Sequence, residues 1–332
     1  MAETLTVGQA GLSTVQDLGR FGRTRYGLPV NGALDQYSAR VANVLTGNDE
    51  AAPLVEITAL DFSCTPSSDV LVAVTGAPAD VTVGGVRRAQ WEPIAVRPGE
   101  PIRIGGIRHG LRVYLAVRGS VETPYLLGSC APDTILGFGR KLADADELAL
   151  GGPGQAIDHP VFRHPVFRLL PPVPRFGEPW TIDVTDGPDV AEFGDTAERL
   201  FSSEFTISPA SNHIGLRMTG SLPRRVATGE VLSRGVPVGA VEVPAGDELL
   251  VLHRGRGVTA GYPVLAVVTG TGLSGLGQAR PGQAVRFRRR TVADAVVAFR
   301  AQRTAIDALR NRVTSVFAAL QLPSTHLVGR PS

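Results

Sequence analysis

The stretch Val70-Leu-Val-Ala-Val-Thr75, followed by Ala79-Asp-Val-Thr-Val83 and the pair Gly84-Gly85, decides the fold class. Two short runs rich in β-branched residues are separated by three residues, and glycines end the second run. Runs of this composition bounded by turn residues favour strands joined by tight turns. We therefore predict neighbouring β-strands here, and not a helix.

Similar runs recur on both sides of this stretch. The chain holds 39 glycines and 25 prolines, which fall between short apolar runs instead of forming tracts. Short strands at regular spacing are typical of antiparallel barrels or sandwiches. The further strands that we predict lie at residues 54–62, 101–104, 112–117, 181–184, 205–207, 240–243, 249–252, 264–268 and 284–287.

Only a few segments have the apolar period of a helix. Residues 35–45 form one, because Asp35 can cap its start and Gly47 can stop it. Residues 189–201 form a second candidate. A third begins after Thr291, which makes a capping box with Asp294, and its apolar residues recur every three or four positions. We predict a long amphipathic C-terminal helix over residues 291–321.

The length of 332 residues favours two domains. Residues 151–179 interrupt the strand pattern with glycines and prolines, so we predict a β-rich domain over 1–155, a Pro-rich linker over 156–179 and a β-barrel domain over 180–290. The linker repeats His-Pro-Val-Phe-Arg, beginning at His159 and His164. Two histidines five residues apart could ligate a metal, but the proline after each favours an extended linker.

Composition and charge limit the cellular compartments and the kinds of partner that we expect for this chain. Residues 1–18 show no basic leader followed by an apolar stretch, and no apolar run approaches the length of a membrane span, so we expect neither a signal peptide nor a membrane partner. The cysteines Cys64 and Cys130 are far apart, so we expect buried thiols in a reducing cytoplasm. The net charge of +2 does not favour nucleic acid.

Lys141 is the only lysine of the chain. It lies in Gly-Phe-Gly-Arg-Lys-Leu, which does not match a Walker A loop, and it lacks the flanks of a biotin carrier. If nucleotide or biotin enters the reaction, we expect another chain to carry it. The sequence also has no H-E-x-x-H or C-x-x-C pattern, so we expect no catalytic metal site.

Three glycine-rich polar stretches are candidate ligand loops. The first covers residues 16–20 and 27–35, the second covers residues 211–217, and the third covers residues 241–244 and 259–263. Their side chains and backbone N–H groups can point at a ligand. Arg217 has the geometry to hold a carboxylate, and Asn212 can bond a carbonyl or an amide. Solvated turns are the alternative interpretation for each of the three.

Six ordered motifs along the chain, four of which overlap these stretches, resemble the family that is known as KipA, as allophanate hydrolase subunit 2, or as the C subunit of 5-oxoprolinase. This family is related to the carboxyltransferase domain of urea carboxylase. The resemblance covers roughly residues 4–290. Asn31, His213 and Glu242 stand where the family pattern has Ser, Arg and Gln. The family's D-x-Q-T-T-G-G-Y-P appears here as Gly-Arg-Gly-Val-Thr-Ala-Gly-Tyr-Pro. The six motifs lie at residues 11–22, 27–35, 55–58, 211–218, 237–244 and 278–283.

The resemblance implies a mainly β fold of two cyclophilin-like β-barrel domains, with few helices. It implies that the chain acts with a KipI-like B subunit, and possibly with an A subunit, in the ATP-dependent opening of 5-oxoproline to L-glutamate. ATP and Mg²⁺ would be bound mainly by or with a partner subunit, and biotin would not be attached to this chain.

The resemblance also implies site residues. Arg217 would grip the substrate carboxylate and Asn212 would contact the lactam, while Glu242 and Tyr262 would orient water or transfer a proton. The further substrate-binding candidates that it implies are His213, Glu56, Asp35 and Gly261.

Two other functions stay open at this point. One is carboxyl transfer from carboxybiotin to a urea-like amide, as in allophanate hydrolase subunit 2-type proteins. The other is a KipA-type regulatory binding role, which the replaced polar residues at 255–258 favour slightly.

Overall fold

The computed structural model describes residues 3–152, 168–244 and 248–320. The chain forms two compact units. The first comprises residues 1–19, 36–175 and 303–332, and the second comprises residues 20–35 and 176–302. His159 and His164 lie outside the described residues, and the domain boundaries expected from the sequence stay a prediction.

The first unit is built of two sheets. One has the strand order β11-β1-β4-β9-β6-β7 and the other has the order β2-β3-β10-β5-β8. All pairings in both sheets are antiparallel. The strands are β1 (Thr4–Gln9), β2 (Leu12–Gln16), β3 (Leu54–Thr58), β4 (Phe62–Pro66), β5 (Val70–Gly76), β6 (Asp80–Val83), β7 (Val86–Arg88), β8 (Pro93–Val96), β9 (Ile102–Gly105), β10 (Arg112–Val117) and β11 (Glu147–Ala149).

The core of the first unit is centred on β5. Every residue of this strand is buried, and it pairs with β10 on one side and β8 on the other. A strand covered on both faces reads as a continuous apolar run, which is why Val70 to Val74 show no polar alternation. The helix α1 (Gln36–Leu45) packs on this sheet, and nine of its ten residues are buried.

The second unit contains a closed barrel. Its seven strands follow the order β12-β19-β16-β17-β14-β13-β20, and β20 pairs with β12 in parallel to close it. A two-stranded ribbon, β15 with β18, lies apart from the barrel sheet. The strands are β12 (Trp180–Asp186), β13 (Phe205–Ile207), β14 (Gly215–Gly220), β15 (Arg234–Gly235), β16 (Ala240–Glu242), β17 (Leu249–Leu252), β18 (Thr259–Ala260), β19 (Val264–Val268) and β20 (Ala284–Arg289).

The barrel is filled by alternating side chains. Ile182, Met218, Val241, Leu249 and Phe287 belong to one buried cluster inside it. A second, smaller cluster lies on the opposite face of the same strands and consists of Val236, Ala240, Leu252 and Val264. Because successive strand residues point to opposite faces, β16 contributes Val241 to the first cluster and Ala240 to the second.

The C-terminal helix is α4 (Val292–Ala319). Its buried residues, Ile306, Leu309, Val313 and Phe317, have the spacing of one helix face. The capping box is confirmed, because Asp294 N donates to Thr291 Oγ1 at 3.1 Å. The predicted mainly β architecture with few helices and a long C-terminal helix is also confirmed. The remaining helical segments in the described residues are α2 (Arg199–Ser202), α3 (Gly272–Leu276) and the 3₁₀ turns Thr24–Tyr26 and Val190–Glu198.

Two of the strands that were not predicted lie in the motif stretches. Residues 12–16 form β2, which pairs with β3, and residues 215–220 form β14, which pairs with β17. In β14, Met218 is buried between the exposed Arg217 and Thr219, which is the alternation of a half-exposed strand, but glycine and polar residues mask both strands in the sequence. In the first stretch the turn after β2 is held by Asp17, whose carboxylate accepts hydrogen bonds from Ser129 Oγ at 2.7 Å and Cys130 N at 3.0 Å.

Buried thiols are confirmed for both cysteines. Cys64 and Cys130 are buried in the first unit and are not joined in a disulfide, and burial raises the pKa of the Cys64 thiol to about 12. Cys64 is therefore an apolar core residue at neutral pH. Within the described part of the chain, no helix is long and apolar enough to cross a membrane.

Candidate functional site

Two motif loops of the second unit meet although they are far apart in sequence. Gln278 Nε2 donates a hydrogen bond of 2.8 Å to Asp35 Oδ2, and both side chains are buried. The preceding Gly277 lies against the Leu34 backbone, where an added Cβ would be 2.7 Å from the Leu34 carbonyl oxygen. Asp35 thus anchors the loop before it, and the sequence-based substrate-binding role of Asp35 stays a prediction.

The same loop is tied to the residues that follow β17. Asn31 N donates to Arg254 O at 3.0 Å, and Arg20 N donates to Val30 O at 2.6 Å. Asn31 adopts a left-handed backbone with φ of 54°, a conformation that asparagine tolerates better than most residues. This accounts for the asparagine in a turn where glycine follows it.

Glu242 ends β16 and is completely buried. It lies opposite Leu250 of β17 and Val264 of β19, and a β-bulge separates it from Val241 in the pairing with β19. Strand alternation places Glu242 on the face of Ala240, where the smaller apolar cluster lies. The carboxylate therefore emerges among aliphatic side chains outside the barrel core.

The environment of Glu242 favours its neutral form. No described residue donates a hydrogen bond to either carboxylate oxygen. Burial raises the pKa of Glu242 to about 7, and the positive charges of Arg234 and Arg256 act in the opposite direction. A carboxyl with a pKa near neutrality can both take and give a proton at physiological pH, as a general acid or base must.

Arg256 was missed by sequence reasoning, which treated residues 255–258 only as a loss of polar groups. It is buried, and its Nε and Nη2 donate to Val236 O at 3.0 Å and 2.6 Å. Burial lowers the pKa of Arg256, and the charge of Glu242 raises it. An arginine between two glycines reads as a solvated turn, so only the fold reveals that its charge is inside.

Arg234 has a carboxylate partner of its own. Its Nη2 donates to Asp189 Oδ2, which also accepts a hydrogen bond of 2.7 Å from Val264 N. Val264 is the strand neighbour of Glu242. The Arg234–Asp189 pair thus lies beside the Glu242 site, and the opposite charges of the two side chains largely cancel.

Tyr262 and Gly261 lie next to this site along the chain. Val243 N donates to Pro263 O at 3.2 Å, which brings the stretch after Glu242 beside the stretch after Tyr262. The Tyr262 side chain is exposed, and a Cβ on Gly261 would be 3.2 Å from Val231 O. Their roles in catalysis and substrate binding stay predictions.

Arg217, Asn212 and His213 lie on the exposed side of β14 and the turn before it. Arg217 Nη1 donates to Glu248 Oε2 at 2.7 Å, and about half of the Arg217 side chain is exposed. Asn212 Oδ1 accepts a hydrogen bond from Ile214 N at 2.8 Å. His213 O accepts from Gly255 N at 3.1 Å, so this turn abuts the loop that carries Arg256.

Glu56 belongs to the first unit. It lies in β3 and accepts a hydrogen bond of 2.8 Å from Tyr114 Oη, with Arg112 Nε at 3.5 Å. These contacts stabilise a buried carboxylate within that sheet. The substrate-binding role of Glu56 stays a prediction. In the described residues there is no group of three His, Cys, Asp or Glu side chains that could hold a metal.

Comparison with known proteins places the chain among carboxyltransferase domains. The family model for the carboxyltransferase domain, subdomain A and B, matches residues 26–289. The C subunit of the Escherichia coli 5-oxoprolinase is 31% identical over 317 residues, which are 93% of this chain and 98% of the relative. The C subunit of the Haemophilus influenzae 5-oxoprolinase is 28% identical over 91% of this chain and 96% of its own length.

Solved structures agree with this assignment. The structure of Kluyveromyces lactis urea amidolyase is 26% identical and superposes with a TM-score of 0.82, covering 98% of this chain and 20% of that chain. Kluyveromyces lactis urea carboxylase superposes with a TM-score of 0.80 at 26% identity, covering 93% of this chain and 29% of that one. This chain thus spans less than a third of either large enzyme. With a family model matched over residues 26–289, the chain belongs to the carboxyltransferase domain family, subdomain A and B.

Proposed function

We propose that this chain is the C subunit of an ATP-dependent 5-oxoprolinase, which opens 5-oxoproline to L-glutamate together with its A and B subunits. The observation that carries the proposal is the end-to-end match with a protein of the same kind, the C subunit of the E. coli 5-oxoprolinase, over 98% of that protein. A match along the whole length of the relative favours such a subunit over a domain of a larger enzyme.

The reaction needs activation of an inert amide. ATP supplies a phosphoryl group to the lactam oxygen, which makes the ring carbon open to attack by water. Water adds to that carbon and loses a proton, the ring C–N bond breaks, and the ring nitrogen leaves protonated as an amine, so that the former ring carbon is left as an acyl phosphate. A second water then hydrolyses the acyl phosphate, which frees the carboxylate of glutamate and releases phosphate. The products are glutamate, ADP and phosphate.

Glu242 is the residue of this chain best suited to the proton transfer. With a pKa of about 7, its carboxylate can accept a proton from the attacking water, and the acid can return it to the leaving nitrogen. Tyr262 would orient the water. Arg217 would exchange Glu248 for the substrate carboxylate, and Asn212 would contact the lactam, with His213 and Gly261 on the adjoining turns.

Access to Glu242 requires a movement. The carboxylate oxygens are covered, and the smaller apolar cluster on the same face includes Val236 next to β15, with Ala260 of β18 packed against it. Substrate therefore reaches Glu242 only after side chains of this cluster move aside.

We place ATP and Mg²⁺ mainly with a partner subunit, because the only lysine, Lys141, lies outside any Walker A pattern. The partners would be a KipI-like B subunit together with an A subunit. A cytoplasmic location goes with this proposal, as expected from the sequence.

A second function is carboxyl transfer from carboxybiotin to a urea-like amide. It is favoured by the urea amidolyase of Lachancea kluyveri, which is 32% identical over 83% of this chain, although the match covers 16% of that enzyme. Biotin would then be carried by another chain. A requirement for bicarbonate and a biotin carrier separates this function from the first.

The test is glutamate release from 5-oxoproline with ATP and Mg²⁺, using this chain co-expressed with its partner subunits. The variants are Glu242→Gln and Arg217→Ala. A matched control is Arg286→Ala, because Arg286 also makes an exposed ion pair, with Glu204 at 3.1 Å, in the same unit.

We expect glutamate release by the wild type and the Arg286→Ala complex. Glu242→Gln should lower kcat by about 10²–10⁴-fold, as expected for loss of a general base. Arg217→Ala should raise KM. A complex that assembles but releases no glutamate would overturn the oxoprolinase proposal.

A further inference from the structure

The loop after β17 carries a buried cation whose orientation is fixed. Arg256 Nε and Nη2 both donate to the same acceptor, Val236 O, at 3.0 Å and 2.6 Å. Val236 N in turn donates to Val258 O at 3.0 Å, so the loop and the segment before β16 are tied in both directions. Two hydrogen bonds to one carbonyl hold the plane of the guanidinium.

Some buried polar atoms of Arg256 and Glu242 have no hydrogen-bond partner among the described residues. Arg256 Nη1 is buried, and none of the described residues accepts a hydrogen bond from it. Both carboxylate oxygens of Glu242 are also buried, and none of the described residues donates a hydrogen bond to them. Buried polar atoms in native proteins are nearly always satisfied, so each exception calls for an explanation, and a catalytic role is one of them. Val236, whose carbonyl holds the guanidinium, belongs to the apolar cluster on the Glu242 face of β16, so the two charges act on each other there without a hydrogen bond between them.

The other charges around Glu242 are accounted for. Arg234 acts on Glu242 as well, but its Nη2 already donates to Asp189. From the strands on either side, β17 and β19, the facing residues are Leu250 and Val264, which are apolar. Arg256 is therefore the buried cation near Glu242 whose charge no described carboxylate takes up through a hydrogen bond.

We propose that Arg256 is a positioning residue for Glu242, and that its anchored guanidinium partly offsets the effect of burial, so that a fraction of the carboxylate stays charged and can take a proton from water during lactam opening. The inference rests on the proposed function for the reaction, but the electrostatic link between the two residues does not. An open arrangement suits this role, because a direct ion pair would occupy the oxygens that must receive the proton.

The proposal predicts how Glu242 responds to changes at residue 256. Arg256→Gln removes the charge, so the neutral form of Glu242 should become more favourable. Arg256→Lys keeps a positive charge but loses the planar, two-point anchor on Val236 O. In the lysine variant, the remaining positive charge should therefore keep most of the effect of Arg256 on the midpoint of the Glu242 titration.

The measurement is the titration of Glu242 in the purified full chain, followed by NMR with glutamate labelled with ¹³C at the carboxyl carbon. The resonance is assigned as the one missing from Glu242→Gln. The same four proteins, wild type, Arg256→Gln, Arg256→Lys and Glu242→Gln, are then assayed for glutamate release against pH in the assembled enzyme.

We expect Arg256→Gln to move the midpoint of Glu242 upward by about one pH unit. Arg256→Lys should stay close to wild type. The acidic limb of the pH–rate profile should move upward together with the midpoint, with activity recovered at higher pH. If Arg256 had a purely structural role, its replacement would lower activity at every pH, and neither the midpoint of the Glu242 titration nor the acidic limb of the pH–rate profile would move.

The outcomes separate the two proposals. An unchanged Glu242 midpoint in a folded Arg256→Gln protein overturns the role of Arg256, whatever the activity. A midpoint that moves while the pH–rate profile stays in place overturns the use of Glu242 as the base, and the electrostatic link to Arg256 stands.

Discussion

Gln278 Nε2 donates a hydrogen bond of 2.8 Å to Asp35 Oδ2 across 243 residues of sequence, and both groups are buried. Two motifs that are unrelated in the linear chain are thus parts of one local structure. Asp35 also has contacts besides this one, so it acts as a junction between the loop before α1 and the end of the barrel.

Asp35→Ala should lower the free energy of unfolding by about 1–3 kcal/mol, because the buried amide of Gln278 loses its acceptor. Urea denaturation measures the change. Gln278→Ala and the double variant complete a double-mutant cycle. Strictly additive single effects would show that the hydrogen bond makes no contribution of its own.

Gly277→Ala should be destabilising by about 1–3 kcal/mol, since the new methyl group would meet backbone atoms that cannot rotate away. The added Cβ would lie 2.7 Å from the Leu34 carbonyl oxygen and 3.0 Å from Asp35 N. Gly177→Ala is the matched control in the same unit, because a Cβ there meets nothing within 4 Å. Equal stability of the two variants in thermal unfolding would contradict the close approach.

Local signals account for what could be predicted from the sequence. The capping box at Thr291 and the spacing of Ile306, Leu309 and Val313 lie within one segment, and they identified α4. The strand β10 was predicted with the observed bounds because its apolar run is continuous. Patterns of this kind depend on neighbours that are a few residues apart.

Long-range packing accounts for what could not be predicted. Nothing in Gly-Arg-Gly indicates that Arg256 is buried, because its burial depends on Val236 O, twenty residues earlier. The isolation of Glu242 likewise depends on strands that pair with it from both sides. The motif position could nominate Glu242, but only the fold shows that it sits among aliphatic side chains, with no described residue donating a hydrogen bond to its carboxylate.

Glu50 offers a second test of electrostatics, in the first unit. Arg40 Nη1 and Arg303 Nη1 contact Glu50 Oε2 at 2.6 Å and 2.5 Å, and Arg310 contacts Oε1. The pKa of this carboxyl falls to about 2: burial raises it, but hydrogen bonds and charge from Arg303 and Arg40 outweigh that effect. These contacts lie within the first unit, to which α4 belongs from Arg303 onward.

A carboxyl with a lowered pKa stabilises the fold above its ordinary pKa of 4.5, and this contribution disappears as the pH falls through about 2. Glu50→Gln removes the ionisation. We expect the stability difference between wild type and Glu50→Gln to shrink by about 3 kcal/mol between pH 5 and pH 2. Comparing the two proteins at each pH cancels the contributions of the other carboxylates that titrate in this range, because both proteins share them. A pH-independent difference would disprove the arginine cluster.

Glu242 should show the opposite pH dependence, which makes it the sharper test. Its pKa of about 7 lies above the ordinary value of 4.5, so the folded chain binds more protons than the unfolded chain between these two values. The neutral carboxyl is therefore compatible with folding at low pH, and stability is lost as the pH rises toward and through 7. In Glu242→Gln this loss is absent, because the amide does not ionise.

Relative to wild type, the free energy of unfolding of the Glu242→Gln variant should rise by about 3 kcal/mol between pH 4.5 and pH 8. Urea unfolding at several pH values measures it, and Arg217→Ala, which changes an exposed ion pair, serves as the control. If wild type and Glu242→Gln keep a constant stability difference across this range, Glu242 is not a buried titrating group and cannot be the proton acceptor proposed for the reaction.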